Sequence, residues 1–197
     1  MEYEKLTHLQ YFDLPQLKEN RIQRETFIDG GCYDGNSSVD FIKWCQLEGV
    51  EGTVYAWEPD PENLEKCRQL FKENHMEYEL IPKGLWSKSE ELRLKSSQTG
   101  SMISDDGGIK IEVDSIDHVI NKHVTFIKMD IEGSEYQALR GARNTIGKYK
   151  PKLAISIYHK IEDIWELLWL IHEMNPKYTF FLRHYSFADN ETVLYAL

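Results

Sequence analysis

Paired cysteines, a long apolar run and a basic stripe are all missing from this sequence. Cys32, Cys45 and Cys67 are odd in number and form no C-x-x-C pair. That excludes a disulfide framework or zinc knuckle and fits a reducing compartment. The most apolar run, IWELLWLI, is shorter than a bilayer span and charged at its flanks, so no membrane partner is expected. The opening MEYEKLTHLQ has no apolar core of signal-peptide length, and the expected location is cytoplasmic. With a net charge of -10 and no cluster of Lys or Arg, the chain has no means of releasing counterions from a phosphate backbone. Nucleic acid is therefore not an expected partner. The acidity itself serves solubility.

What is present is the material of a soluble core. At 197 residues, with 41% hydrophobic residues and 11 Tyr, 8 Phe and 5 Trp, the chain suits one domain. Residues 1–24 are polar and weakly patterned and read as a lead-in with a short helix; residues 25–197 read as the domain. Within it, strand and helix patterns alternate: TFID, a helix over SSVDFIKWCQL, TVYAWE, and a helix over ENLEKCRQLFKEN with Pro61 first and Asp60 as its cap. YELIP follows, then LRLKS and IKIEV as an antiparallel excursion around the polar loop from Ser97 to Gly108, which has the composition of a lid or of an ordinary hairpin loop. VTFIKMD, one helix over SEYQALRGARNTI, the strand KLAISIY and a helix over IEDIWELLWLIHEM come next. YTFFLRHY and TVLYAL close the chain, separated by too short a turn to be anything but antiparallel. The expected fold is α/β: doubly wound, a mostly parallel sheet covered on both faces and finished by a C-terminal antiparallel hairpin. On the last helix, Ile161, Ile164, Trp165, Leu168 and Ile171 form an apolar stripe that Leu167, Leu170 and Met174 widen; the broad face is read as a core face, with a homodimer interface as the alternative.

The stretch FIDGGCYDGNSS carries the first functional signal. Glycines directly after a strand let the backbone turn with positive φ and approach a ligand closely. Asn36, Ser37 and Ser38 supply helix N-cap chemistry, so the segment reads as a nucleotide-type binding corner. Asp29, Glu58 and Asp130 each end an expected strand, which places three acids on one rim of the sheet, where such folds bind ligands. An acid ending the second strand can accept bonds from both hydroxyls of a ribose. The spacing from Asp29 through Gly31 to Gly35 is not G-x-G-x-x-G, which disfavours a nicotinamide-dependent oxidoreductase.

The ordered set FIDGGCYDG, VYAWEPDPENLEKC, FIKMDIEGSEYQALRGA and FLRHYSFADNETVLYA resembles the FkbM methyltransferase family from about Thr26 to the C-terminus, KMDIEGSE being its most specific piece. The resemblance implies a Rossmann-like, seven-stranded sheet of the class I methyltransferase type and S-adenosylmethionine as cofactor. It implies transfer to a hydroxyl oxygen on a small molecule or glycan, a sugar or secondary metabolite. Gly31, Cys32, Tyr33 and Gly35 would then admit the methionine part, with Asp29 orienting the loop or meeting the cofactor amino group. Glu58 would hold the ribose, Pro59 would fix the chain as it leaves, and Leu85 and Trp86 would flank the adenine. Tyr33 stands where the wider superfamily often has glycine. A different class of function, a cofactor-binding module or partner subunit without transfer, fits the same corner.

For chemistry, Asp130 and His159 are the candidates. A hydroxyl acceptor gains from a positioned base, and histidine's ordinary pKa suits the task. The alternative is a divalent metal, magnesium or manganese, held by Asp130, Glu132 and His159. Glu135 reads as an acid at a helix N-terminus, and Arg183 and His184 as weaker candidates for gripping substrate.

Overall fold

The computed structural model describes residues 10–19, 22–97, 100–103 and 106–197. Side chains of 96, 97 and 100–102 are outside that description. Strand β1 (Arg24–Gly30) runs through the middle of the sheet and leads, by way of Gly35, into helix α1 (Asn36–Glu48). Strand β2 (Glu51–Trp57), helix α2 (Pro61–Glu73) and strand β3 (Tyr78–Ile81) follow. Asp60 caps α2 as expected, accepting from the N–H groups of Glu62 and Asn63 at 2.8 and 3.2 Å. The cap of α1 differs from expectation. Gly35 occupies the N-cap in the left-handed region (φ 88°) with no side-chain cap bond. Ser37 and Ser38 point instead at Asp29.

The excursion forms a separate sheet: β4 (Gly84–Leu85), β5 (Glu90–Ser97), β6 (Gly100–Ile103) and β7 (Ile109–Asp114), in the order β4-β7-β5-β6. LRLKS and IKIEV pair antiparallel, as expected. The stretch from Ser97 to Gly108 is not loop throughout, because β6 lies within it and pairs with β5; its residues 98, 99, 104 and 105 are outside the described set.

A short helix α3 (Ile116–Val119) leads to β8 (Phe126–Met129). The single helix expected next is two, α4 (Glu135–Arg140) and α5 (Arg143–Tyr149). They break at Gly141, where a Cβ would stand 2.1 Å from the Trp86 carbonyl oxygen. The excursion presses on the helix at that point. Strand β9 (Lys152–Ser156), helix α6 (Asp163–Met174), β10 (Phe180–His184) and β11 (Thr192–Ala196) complete the chain. The main sheet has seven strands in the order β10-β11-β9-β8-β1-β2-β3. It is parallel except at β11, which pairs antiparallel with both β10 and β9.

Alternation along the central strands supplies two cores. Ile28, Ile127, Leu153 and Ile155 face the side covered by α3 to α6. Phe27, Phe126 and Ala154 face the side covered by α1 and α2. The lead-in belongs to this second core, since Tyr11, Phe12, Leu14 and Leu17 are buried there. The ring of Phe12 lies edge-on to Phe27 and Phe126 at 5.8 and 5.6 Å.

Helix α6 buries only part of the broad apolar face expected of it. Leu167, Leu170 and Ile171 are buried, whereas Ile161, Ile164, Trp165 and Trp169 are exposed. Apolar residues on both sides of this helix leave periodicity unable to choose between them. Contact with α4 and α5 decides the matter.

Candidate active site

Leaving β1, the chain enters the glycine turn. Gly31 has φ 71°, and a Cβ there would lie 2.1 Å from the Asp130 carbonyl oxygen. The turn is thus wedged against the end of β8, and only glycine fits. Tyr33 also adopts the left-handed region (φ 51°), the conformation for which the superfamily often uses glycine, and its side chain is exposed. Glu58, just past β2, holds this turn from the other side. Its carboxylate accepts from the N–H groups of Tyr33 (3.0 Å) and Asp60 (2.9 Å). Burial, outweighing those donors, raises its pKa above the ordinary glutamate value.

A cavity of about 410 Å³ opens at the carboxyl ends of these strands, a volume suited to a small ligand. It lies where strand order reverses between β1 and β8. Of the expected cofactor residues, Gly31, Tyr33, Glu58, Pro59, Leu85 and Asp130 line it. Cys32, Gly35, Asp29 and Trp86 are not among the lining residues. Trp86 packs instead on Leu94, Ile111 and Val113. The Cys32 sulfur lies 3.4 Å from that of Cys67. That contact and burial raise the Cys32 pKa, so it is a protonated, inert thiol. Asp29 is sealed from solvent, bound by Lys128 Nζ at 3.1 Å and by the hydroxyls of Ser37 and Ser38, each at 2.6 Å. It organises the turn from beneath and does not face the cavity.

At the other end stand Asp130, Glu132, Tyr158 and Glu191. The Tyr11 hydroxyl donates to Asp130 Oδ2 and that of Tyr158 to Oδ1, both at 2.9 Å. His159 lies behind them, with its side chain 9% exposed. Its Nε2 is 3.4 Å from Asp130 Oδ1 and 3.7 Å from Glu132 Oε2, and its Nδ1 is 3.0 Å from Glu135 Oε1. Burial lowers the imidazole pKa, but Glu135, Asp130 and Glu132 outweigh it and raise the net value. Burial also raises Glu132. Arg183 and His184 lie on exposed β10, and neither lines the cavity.

Sequence reading missed several parts. Lys128 was detectable, as a lone cation inside an apolar strand. Asp60, Glu62 and Asn63, which line the cavity from the start of α2, follow from recognising the cap. Tyr11 and Glu191 had no local signal, because only the fold brings the lead-in and the final turn to the rim.

Comparison with known proteins bears on this geometry. The family described as Methyltransferase FkbM domain matches residues 29–188. The chain belongs to the FkbM methyltransferase family. The crystal structure of methyltransferase FkbM from Methylobacillus flagellatus KT is 29% identical, with a TM-score of 0.79 over 99% of this chain and 49% of that chain. The FkbM domain described here thus spans about half the length of that protein. M. capricolum TrmK, solved with S-adenosyl-homocysteine, is 11% identical with a TM-score of 0.51 over 96% of this chain and 68% of its own. The fibrillarin/Nop5p complex gives 13% and 0.53, over 91% and 77%. These two share the fold of the FkbM domain. A comparison with curated proteins gives no match. Among the described residues, no helix is long and apolar enough to cross a membrane.

Proposed function

We propose that this FkbM domain transfers a methyl group from S-adenosylmethionine to a hydroxyl oxygen of a small molecule or glycan. The observation that carries the reading is the presence of Gly31 and Glu58 together in the lining of one cavity at the switch point of the sheet. Gly31 permits close backbone approach. Glu58 presents a buried carboxylate to ribose hydroxyls, with Leu85 in the same lining as an apolar surface for a base. Methyl transfer is an in-line displacement: the sulfur–carbon bond breaks as the oxygen–carbon bond forms, and the acceptor's proton leaves to a base. Holding both partners in line supplies much of the rate.

Asp130 and Glu132 border the cavity where that proton would depart. His159, set behind them, acts through these carboxylates; direct proton removal by its imidazole would require the ring to reach past them. The six acids Glu58, Asp60, Glu62, Asp130, Glu132 and Glu191 line the cavity without a lysine or arginine among the lining residues. That lining favours a neutral or cationic acceptor over a phosphorylated one. Isotope-labelled S-adenosylmethionine incubated with neutral glycosides, amino sugars and sugar phosphates tests the reading. Label in a neutral or amino sugar is expected. S-adenosylhomocysteine failing to bind would overturn the whole assignment, and tight binding without transfer to any acceptor class would favour a binding module.

A further inference from the structure

The turn that leaves β9 joins the acceptor end of the cavity to an exposed apolar surface. Tyr158 lines the cavity, and Ile161, just beyond it in the chain, is 78% exposed. Between them Lys160 donates to the carbonyl of Gly133, which stands between the lining residues Glu132 and Ser134. The turn is thereby fastened to the lip of the cavity. From Ile161 the apolar surface continues along α6 through Ile164, Trp165 and Trp169, which are 55%, 52% and 63% exposed. Their three- and four-residue spacing keeps them on one side of the helix. At 1.5 Å per residue, the strip runs about 12 Å away from the rim.

Single apolar residues on a surface are ordinary, but a contiguous strip ending at a ligand cavity is not. These four side chains expose on the order of 500 Å², the size of the largest and often functional patch of a monomer. Two observations select what covers it. The cavity, at about 410 Å³, is near the small end of ligand sites, which run from about 300 to 1,000 Å³. The cofactor and the reacting hydroxyl share that space, so the rest of the acceptor lies at the mouth, where the strip begins. The second observation is charge. Glu162 and Glu166 are exposed beside the strip, and they oppose an anionic lipid surface. A second copy seated here would bury about 1,000 Å² in total, only the lower bound of a specific interface.

We infer that the strip from Ile161 to Trp169 is the outer part of the acceptor site and holds the apolar portion of an amphiphilic acceptor, a sugar carrying an alkyl chain or apolar aglycone. This rests on the proposed function and names its substrate class. The sugar hydroxyl enters beside Tyr158, Asp130 and Glu132, while the chain leaves over Ile161 and lies along α6 against the faces of Trp165 and Trp169. Chain and strip both lose contact with water, which supplies the affinity. A methylene lying on an open face is about half buried and strengthens binding about twofold, against about fourfold for complete burial.

The experiment titrates the whole chain, with and without S-adenosylhomocysteine, against n-alkyl glucosides from methyl to octyl, below their micelle concentrations. Calorimetry and tryptophan fluorescence are the readouts. Octyl glucoside is expected to bind about 100-fold tighter than methyl glucoside, and to shift the emission to the blue as Trp165 and Trp169 are covered. Trp165→Glu and Ile161→Asp should each cut that ratio to below about 10-fold, with S-adenosylhomocysteine affinity unchanged. Leu47→Glu, at an exposed apolar residue of α1, should keep the wild-type ratio. Octyl phosphocholine, which has the chain without the sugar, should bind about 10-fold more weakly than octyl glucoside. Affinity independent of chain length, with S-adenosylhomocysteine still bound, would overturn the strip and leave the proposed function standing. An equal loss from Leu47→Glu would overturn it as unspecific adsorption, and equal binding of the two octyl probes would detach the strip from the acceptor site. A dimer in sedimentation that Trp165→Glu dissolves would assign the face to a second copy instead. Chain-length dependence without S-adenosylhomocysteine binding would support the strip and count against the cofactor.

Discussion

Lys128 Nζ lies 3.1 Å from Asp29 Oδ1, on adjacent parallel strands, with both side chains sealed from solvent. The same ammonium donates to the Gly30 and Gly31 carbonyls at 3.2 and 2.8 Å. Burial pulls its pKa down, but Asp29 and Asp130 outweigh burial and hold it above the ordinary lysine value. One cation therefore joins the end of β1, the glycine turn and β8. Removing one partner of a buried pair strands the other charge, at a cost of about 3–5 kcal/mol. Lys128→Met should lower stability by that amount in denaturant unfolding and weaken S-adenosylhomocysteine binding. A variant as stable as wild type would show that the pair contributes little.

Glu58 supplies a test with a pH axis. Glu58→Ala should weaken S-adenosylhomocysteine binding by about 10–150-fold, the equivalent of one hydrogen bond to a charged acceptor at 1.5–3 kcal/mol. Ribose hydroxyls donate to the carboxylate, so binding requires its ionised form. Because burial raises the Glu58 pKa above 4.5, affinity should fall as pH drops through that raised value. Calorimetry from neutral to mildly acidic pH should show this decline in wild type and a flatter profile in Glu58→Gln. Parallel profiles would assign the proton to another group.

Gly31→Ala adds a single carbon where the backbone has none to spare. Its Cβ would meet the Asp130 carbonyl oxygen at 2.1 Å, at a positive φ that alanine resists. The expected result is a lower melting temperature together with lost cofactor affinity, since turn and sheet are wedged at one point. Wild-type values for both in thermal melts and calorimetry would place the turn elsewhere.

The two faces of α6 should respond oppositely. Leu167 is completely buried, and Leu167→Ala should cost about 2–5 kcal/mol. Trp165 is 52% exposed, and Trp165→Glu should change stability by no more than about 0.5 kcal/mol. A large loss from Trp165→Glu in dilute protein would mean that something covers this face.

Local chemistry made the architecture legible in advance. Period-2 and period-3.6 apolar patterns, the Asp60–Pro61 helix start and the short turn before TVLYAL are all decided by neighbours in the chain. They suffice for a mostly parallel sheet with an antiparallel end. The glycine turn and Glu58 were readable for the same reason, as each marks the end of its own strand. Tertiary structure alone decided which face of α6 is buried, because its apolar residues lie all round the helix and only α4 and α5 select among them. It also decided where α4 stops, through the approach of the Trp86 carbonyl to Gly141. Above all it decided the acidic corner. Tyr11, Asp130 and Tyr158 are joined by hydrogen bonds spanning 119 and 28 positions, and no local pattern encodes a contact whose partners meet only after the sheet has formed.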